Sequence, residues 1–394
     1  MTRSIALRGA FAPSILVVAT LAACGGGSGS SGTNVSNSGG NGCEVNSYGM
    51  CVGNSGPTFG GAGGGEYIAS ALVSDTTSTA LHTDADLVNA WGLAFNPSGF
   101  AWVANAGTGT STLYDGDGVQ QTPTVQMPSG TGGVEHPAGI VYNGSSSAFM
   151  VTSGSSSGAA AFLFATLEGQ IAAWSPHVSA TQAINAVDDS ASGATYTGLA
   201  LAQDASGPLI YAADFAHGHV TVFNAQFAPV TTTGGFTDPT LPAGYAPFGI
   251  QAIGTQVYVS YAQPGTGGQH ETLGAGLGLV DVFDTQGNLK AHLVPAGGAL
   301  NAPWGMALAP ANFGKFSNML LVGNFGDGTI HAFDLTTGAP QGAITNDDGS
   351  TITIDGLWAL QFGTGLNSQP ANTLFYTAGP ASETHGLYGR IDMN

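Results

Sequence analysis

From Glu66 onward, short apolar runs rich in Val, Ile, Phe, Tyr and Ala alternate with turns built from Gly, Pro, Asp and Asn. No stretch carries a long helical period, so the pattern predicts an all-β chain. Within it a glycine followed by a short apolar strand keeps returning: WGLAF at Gly92, AGIVY at Gly139, TGLAL at Gly198, FGIQA at Gly249, WGMAL at Gly305 and DGLWA at Gly356. The spacing is roughly fifty residues, the length of a four-stranded propeller blade with generous loops. A second phrase follows the first: GQIAAW at Gly169, GHVTVF at Gly218, GLVDVF at Gly278 and GTIHAF at Gly328, with looser copies GTSTLY at Gly109 and GLYGRI at Gly386. Its period-two alternation marks a strand with one buried face. Together the two phrases predict a six-bladed β-propeller, the first phrase on each innermost strand and the second on each third strand.

The sixth blade has strands near 356–362, 373–378 and 386–392, one fewer than expected. The stretch YIASALVSD, residues 67 to 75, precedes the first blade and supplies a strand that closes the ring and removes an open edge. In the second blade, AFMVTSG and AAFLFAT both read as strands, which predicts an extra hairpin there.

The N-terminal texture is different. Arg3 and Arg8 precede an apolar run too short for a stable membrane span, the pattern of an export signal over residues 1–23. Residues 24–65 are a Gly/Ser-rich tether, and 66–394 form the propeller. Cys43 and Cys51, in CEVNSYGMC, are expected to close a small disulfide loop in an oxidising compartment.

Charge narrows the partners. The chain has five Lys or Arg against twenty-four Asp or Glu, a net charge of −19. Removal of the signal leaves Lys290, Lys315 and Arg390 as the basic side chains and as the tryptic sites, which suits a protease-rich extracellular space. A polyanion repels phosphate backbones, so nucleic acid is set aside as a partner, while cations are attracted.

Leu21-Ala22-Ala23-Cys24 resembles the bacterial lipobox. That resemblance implies acylation at Cys24, and Gly25 after it implies sorting to the outer membrane, on either of its sides. The phrases NAWGLAFNP, FLFATLEGQIAAW, YAADFAHGHVTVF, LNAPWGMALAPANFGKFSNMLLVGNFGDGTIHAF and TLFYTAGP resemble a family of exported bacterial propeller-like proteins, some with a C-terminal exosortase sorting signal. The resemblance spans about residues 66 to 392 and implies the fold and no activity. The present sequence ends at IDMN rather than in that signal.

In a propeller, the loops into each innermost strand and the hairpins between second and third strands share one face, over the central channel. They bring Trp91, His136, Trp304 and Asp355 as candidate ligand-binding groups. Asp214, Asn324, Glu168 and His270 are candidate metal ligands there. Oxygen donors suit Ca²⁺, and imidazole moves the preference toward other divalent ions. Asp and Asn at hairpins also serve turn geometry, as Asp115, Asp117, Asp284 and Asp334 are expected to do. His219 and His331 are expected to face solvent. No nucleophile elbow, phosphate loop or Cys–His dyad is present. Two functions fit: a tethered propeller that binds a small molecule, glycan or protein, or a metal-dependent hydrolase or lactonase working with the channel carboxylates.

Overall fold

The computed structural model describes residues 67–77, 80–130, 133–266 and 270–394. The expected signal, the tether, the Cys24 lipid site and the Cys43–Cys51 pair lie outside the described residues.

The repeats fold into six sheets of antiparallel strands. Blade 1 runs Ala90–Phe95, Ala101–Asn105, Thr110–Tyr114 and Gln120–Gln126. Blade 2 runs Pro137–Tyr142, Phe162–Thr166, Gln170–Trp174 and Ile184–Asp188, and carries the expected extra hairpin, Met150–Ser153 with Ser156–Ala159. Blade 3 stops at three strands, Tyr196–Asp204, Gly207–Asp214 and His219–Phe223. Blade 4 is Ala246–Ile253, Gln256–Pro264, Leu279–Asp284 and Leu289–Val294. Blade 5 is Pro303–Leu308, Leu320–Asn324, Ile330–Phe333 and Pro340–Ala343. Blade 6 is Leu357–Phe362, Leu374–Ala378 and Leu387–Met393.

The fourth strand of blade 6 comes from the front of the domain. Tyr67–Ser74 pairs antiparallel with Leu387–Met393, Tyr67 opposite Met393 and Ser74 opposite Leu387. Tyr67 is fully buried, tilts against Phe313 at 4.8 Å and donates from its hydroxyl to Phe313 O at 2.9 Å. Each innermost strand packs on the next, and blade 6 on blade 1, so the ring is closed.

The recurring glycine has a steric cause. A Cβ on Gly92 would stand 2.2 Å from Ala138 O, one on Gly249 2.1 Å from Trp304 O, and one on Gly305 2.3 Å from Trp358 O. The backbones of neighbouring innermost strands approach too closely there for any side chain. The pattern corrects the sixth copy. Gly356 lies before its strand at φ +65°, against Gly379 O. Trp358 occupies the place of Trp304, so Ala359 takes the glycine position. Side-chain hydroxyls bridge the same junctions: Ser260 donates to Pro303 O at 2.7 Å, Thr197 to Phe248 O at 2.8 Å, and Thr377 to Trp91 O.

The alternation in the second phrase also has a different cause from the one expected. A third strand is covered on both faces, because its blade lies between two others. In blade 2, Ile171 and Ala173 pack toward blade 3 while Ala172 and Trp174 pack toward blade 1. Six apolar clusters fill the six blade interfaces.

Candidate functional site

The loop-side mouth of the channel is filled by aromatic rings. Trp358 is fully buried and lies 3.8 Å from Trp91 and 4.0 Å from Phe325, both stacked on it. Trp304 meets Trp358 edge-on at 6.0 Å, and Phe248 tilts against it at 6.0 Å. Two of the three indole N–H groups are used inside the protein: Trp358 Nε1 donates to Asn89 Oδ1 at 3.0 Å, and Trp304 Nε1 to Thr197 O at 3.0 Å, while Trp91 Nε1 is buried without a hydrogen-bond partner. Below the rings, Leu93, Ile140, Leu199, Ile250, Met306 and Leu360 surround the axis and leave a cavity of about 20 Å³. That is room for about one water. A wider cavity of about 230 Å³ opens at the far end, between the ends of the innermost strands of blades 4 to 6.

Around this plug the loops carry three histidine–carboxylate pairs. His136 Nδ1 lies 2.5 Å from Glu168 Oε1, His217 Nδ1 2.7 Å from Asp214 Oδ2, and His385 Nδ1 2.7 Å from Asp75 Oδ2. In each, Nδ1 faces the carboxylate and the rings are partly exposed, the geometry in which Nε2 is oriented for a ligand. The hydrogen bond to Glu168 raises His136 above the ordinary imidazole range, against a downward pull from burial. Burial pushes Glu168 up, and the hydrogen bonds from His136 more than reverse this. The hydrogen bond to Asp214 raises His217. Glu135, next to His136, is 1% exposed. Burial first, then repulsion from Glu168, raises it to about 7, with Asn185 opposing.

Of the sequence-predicted residues, Glu168 meets His136 and Trp91 meets Trp304, while Asp214, Asn324, His270 and Asp355 stand in separate loops. Asp214 Oδ1 accepts from Thr195 N and His217 N in blade 3. Asn324 is buried in blade 5, its Nδ2 donating to Ala299 O and Thr329 Oγ1 and its Oδ1 accepting from Asn301 N. Glu168 is engaged with His136 in blade 2. His270 stands in the long hairpin of blade 4, its carbonyl accepting from Gly265 N. Asp355 accepts from Ala381 N at 2.9 Å. Trp91 and Trp304 belong to the plug. Asp115, Asp284 and Asp334 each accept from backbone N–H groups of their own turns, as expected. His219 is exposed, whereas His331 is half-buried, and burial lowers its pKa.

Among the described residues, carboxylates and an imidazole gather at metal-ligand spacing at a place marked by no sequence motif: Asp238, Asp281 and His292, on the outer part of blade 4. Asp281 is 1% exposed, and burial raises its pKa, with Asp238 adding and His292 opposing. A signal was available. Among the four close copies of the second phrase, GLVDVF alone has an acidic residue at its fourth position.

Comparison with known proteins places the chain in a lineage. Uncharacterized protein R648 of Acanthamoeba polyphaga mimivirus is 31% identical over 327 residues, 81% of this chain and 78% of the viral protein. The chain belongs to the R648 family. Uncharacterized protein L690 of the same virus is 29% identical over 331 residues, 81% of this chain and 84% of L690. No protein-family model matches. A solved structure of a protein of unknown function from Bacteroides thetaiotaomicron VPI-5482 superposes with a TM-score of 0.51 at 10% identity, over 83% of this chain and 76% of its own. That likeness shows the propeller fold. These R648-family relatives are viral, which corrects the resemblance to exported bacterial proteins with a sorting signal: it holds for the propeller-like fold and not for the bacterial grouping.

Proposed function

We propose that this R648-family chain is an exported propeller, tethered through a lipid on Cys24 in the outer membrane, that works by binding. Its loop-side face would take up a small molecule, glycan or protein. The observation that supports this reading best is the plugged axis. A hydrolase at the channel mouth needs a cavity where a substrate meets a metal-bound water. Here that place holds Trp91, Trp304 and Trp358 over room for about one water. What remains outward is a rim of acidic groups and oriented imidazoles around His136, His217 and His385, suited to hydrogen-bonding or cationic groups of a partner.

The alternative keeps a divalent cation, calcium or another, over the channel with Glu168 and Asp214 among its ligands and a lactone or ester as substrate. The three histidine–carboxylate pairs favour it, since metal-binding imidazoles are commonly held that way. A two-armed screen separates the readings. Purified protein is assayed against lactone and ester panels with Ca²⁺, Mn²⁺ and Zn²⁺, and in parallel against glycan and peptide arrays. Binding predicts no turnover above the uncatalysed rate and saturable capture of one ligand class, weakened about tenfold by His136→Ala. Turnover that disappears in Glu168→Gln would replace it with the hydrolase.

A further inference from the structure

Blade 3 has three strands, and the segment after them touches the third only at one bridge, Phe223 opposite Pro229, before it crosses to blade 4. Gly234 N and Phe236 N donate to Gln286 O and Gly287 O in the outer turn of blade 4, and Phe236 packs on Tyr211 and Phe283 across the blade 3–4 interface. Asp238 follows at once. Its side chain is 2% exposed and stands beside Asp281 on the third strand and His292 on the fourth.

Thr240 Oγ1 stands 2.9 Å from Asp238 Oδ1 and 3.1 Å from His292 Nε2, so its one proton serves the acid or the ring. Nδ1 points at Asp281 Oδ1, 3.2 Å away, and at Asp238 Oδ2, 3.5 Å away. The other oxygen of Asp281 is buried without a hydrogen-bond partner. Two buried carboxylates and a ring nitrogen converge. Three donor atoms facing one point, two of them carboxylate oxygens, make a place for a cation. The spacing suits a metal ion. Ligands about 2.0–2.1 Å from a tetrahedral Zn²⁺ stand about 3.3 Å apart, close to the 3.2 and 3.5 Å from His292 Nδ1 to the two acids, and all three donor atoms lie within 4.8 Å of one another. One nitrogen and two oxygens favour a zinc-like ion over Ca²⁺ or Mg²⁺.

We propose that Asp238, Asp281 and His292 form a divalent-cation site of zinc type, which pins the 224–245 crossing to blade 4 and so covers the three-stranded edge of blade 3. The site is structural and separate from the loop-side face. Its competitor is a protonated His292 held between the two acids without metal.

Full-length protein stripped with a chelator is titrated with Zn²⁺ by calorimetry and by thermal melting. The expected result is one ion per chain bound below about 100 μM, with a rise in Tm. His292→Ala and Asp281→Asn should each weaken binding at least about tenfold. The double variant His82→Ala/His177→Ala, which removes two exposed imidazoles elsewhere, should bind as the parent does. His292 is 45% exposed, so its truncation tests the site even if Asp281→Asn does not fold. No zinc uptake in that range, uptake indifferent to His292→Ala, or displacement of zinc by equimolar Ca²⁺ would each overturn the proposal.

Discussion

A single methyl group separates Gly249 from alanine, and the fold has no room for it. The added carbon would lie 2.1 Å from Trp304 O, on the backbone of the next blade, which cannot move without opening the ring. Overpacking of this kind costs about 1–3 kcal/mol or more. Gly249→Ala should therefore lower the urea midpoint, whereas Gly298→Ala, whose nearest neighbour would be Pro295 O at 3.9 Å, should stay within about 0.5 kcal/mol of the parent. Equal midpoints would mean that the glycines of the first phrase recur for another reason. The repeat was legible because crowding at the axis forces one residue type again and again. It misled at Gly356 because Ala359, the smallest residue with a Cβ, fills that position in blade 6. The neighbouring glycine serves a turn and has the more conspicuous letter.

At the level of strands, the closing element carries the clearest expectation. Tyr67–Ser74 supplies the fourth strand of blade 6, with the two-residue strand His82–Thr83 parallel to its end, and buries Leu72, Val73 and Tyr67. Protein beginning at residue 66 should melt with the Tm of the longer chain. Protein beginning at residue 80 should melt lower and less cooperatively, and aggregate through the freed edge of Leu387–Met393. Identical melts would show that closure is dispensable. The strand could be read from sequence because blade 6 was one strand short and one unassigned apolar run preceded blade 1. The three-stranded state of blade 3 could not. The segment 224–245 has turn residues throughout, and its anchoring is by long-range contacts such as Phe236 on Phe283. The grouping of Asp238 with Asp281 and His292 was hidden for the same reason. It depends on where that crossing lands, although Asp281 in the middle of an otherwise apolar phrase was the visible anomaly.

Over the whole molecule, acidity sets the pH response. Glu135 and Glu271 are both raised to about 7, in each case by burial first and then by a neighbouring carboxylate, Glu168 and Glu383. Their folded pKa values exceed the unfolded ones, so the folded state binds more protons between roughly pH 4.5 and 7, and stability falls as pH rises through that window. Asp188 and Asp284 are shifted the other way. Asp188 is lowered by hydrogen bonds from Ser190, and Asp284 is lowered to about 2 because Lys290 and Asn288 outweigh its burial. Their contributions are present above about pH 4 and are lost below it. The net charge of −19 adds self-repulsion at neutral pH. Tm should therefore peak near about pH 5. Glu135→Gln should raise Tm at pH 8 by a few degrees and by much less at pH 4, below the window. A parent protein more stable at pH 8 than at pH 5 would contradict this assignment.

The pairing of Tyr67 with Met393 has a mechanical corollary. The first and last residues of the ring sit opposite one another, and the hydrogen bonds of an antiparallel pair run perpendicular to the strands. A pull that separates the two ends loads those bonds one at a time and peels the seam open at low force. A pull on Tyr67 against a load held at the opposite rim strains the same bonds together, in parallel, and meets far greater resistance. A propeller hung from its leading end would thus yield or hold according to where its cargo is gripped.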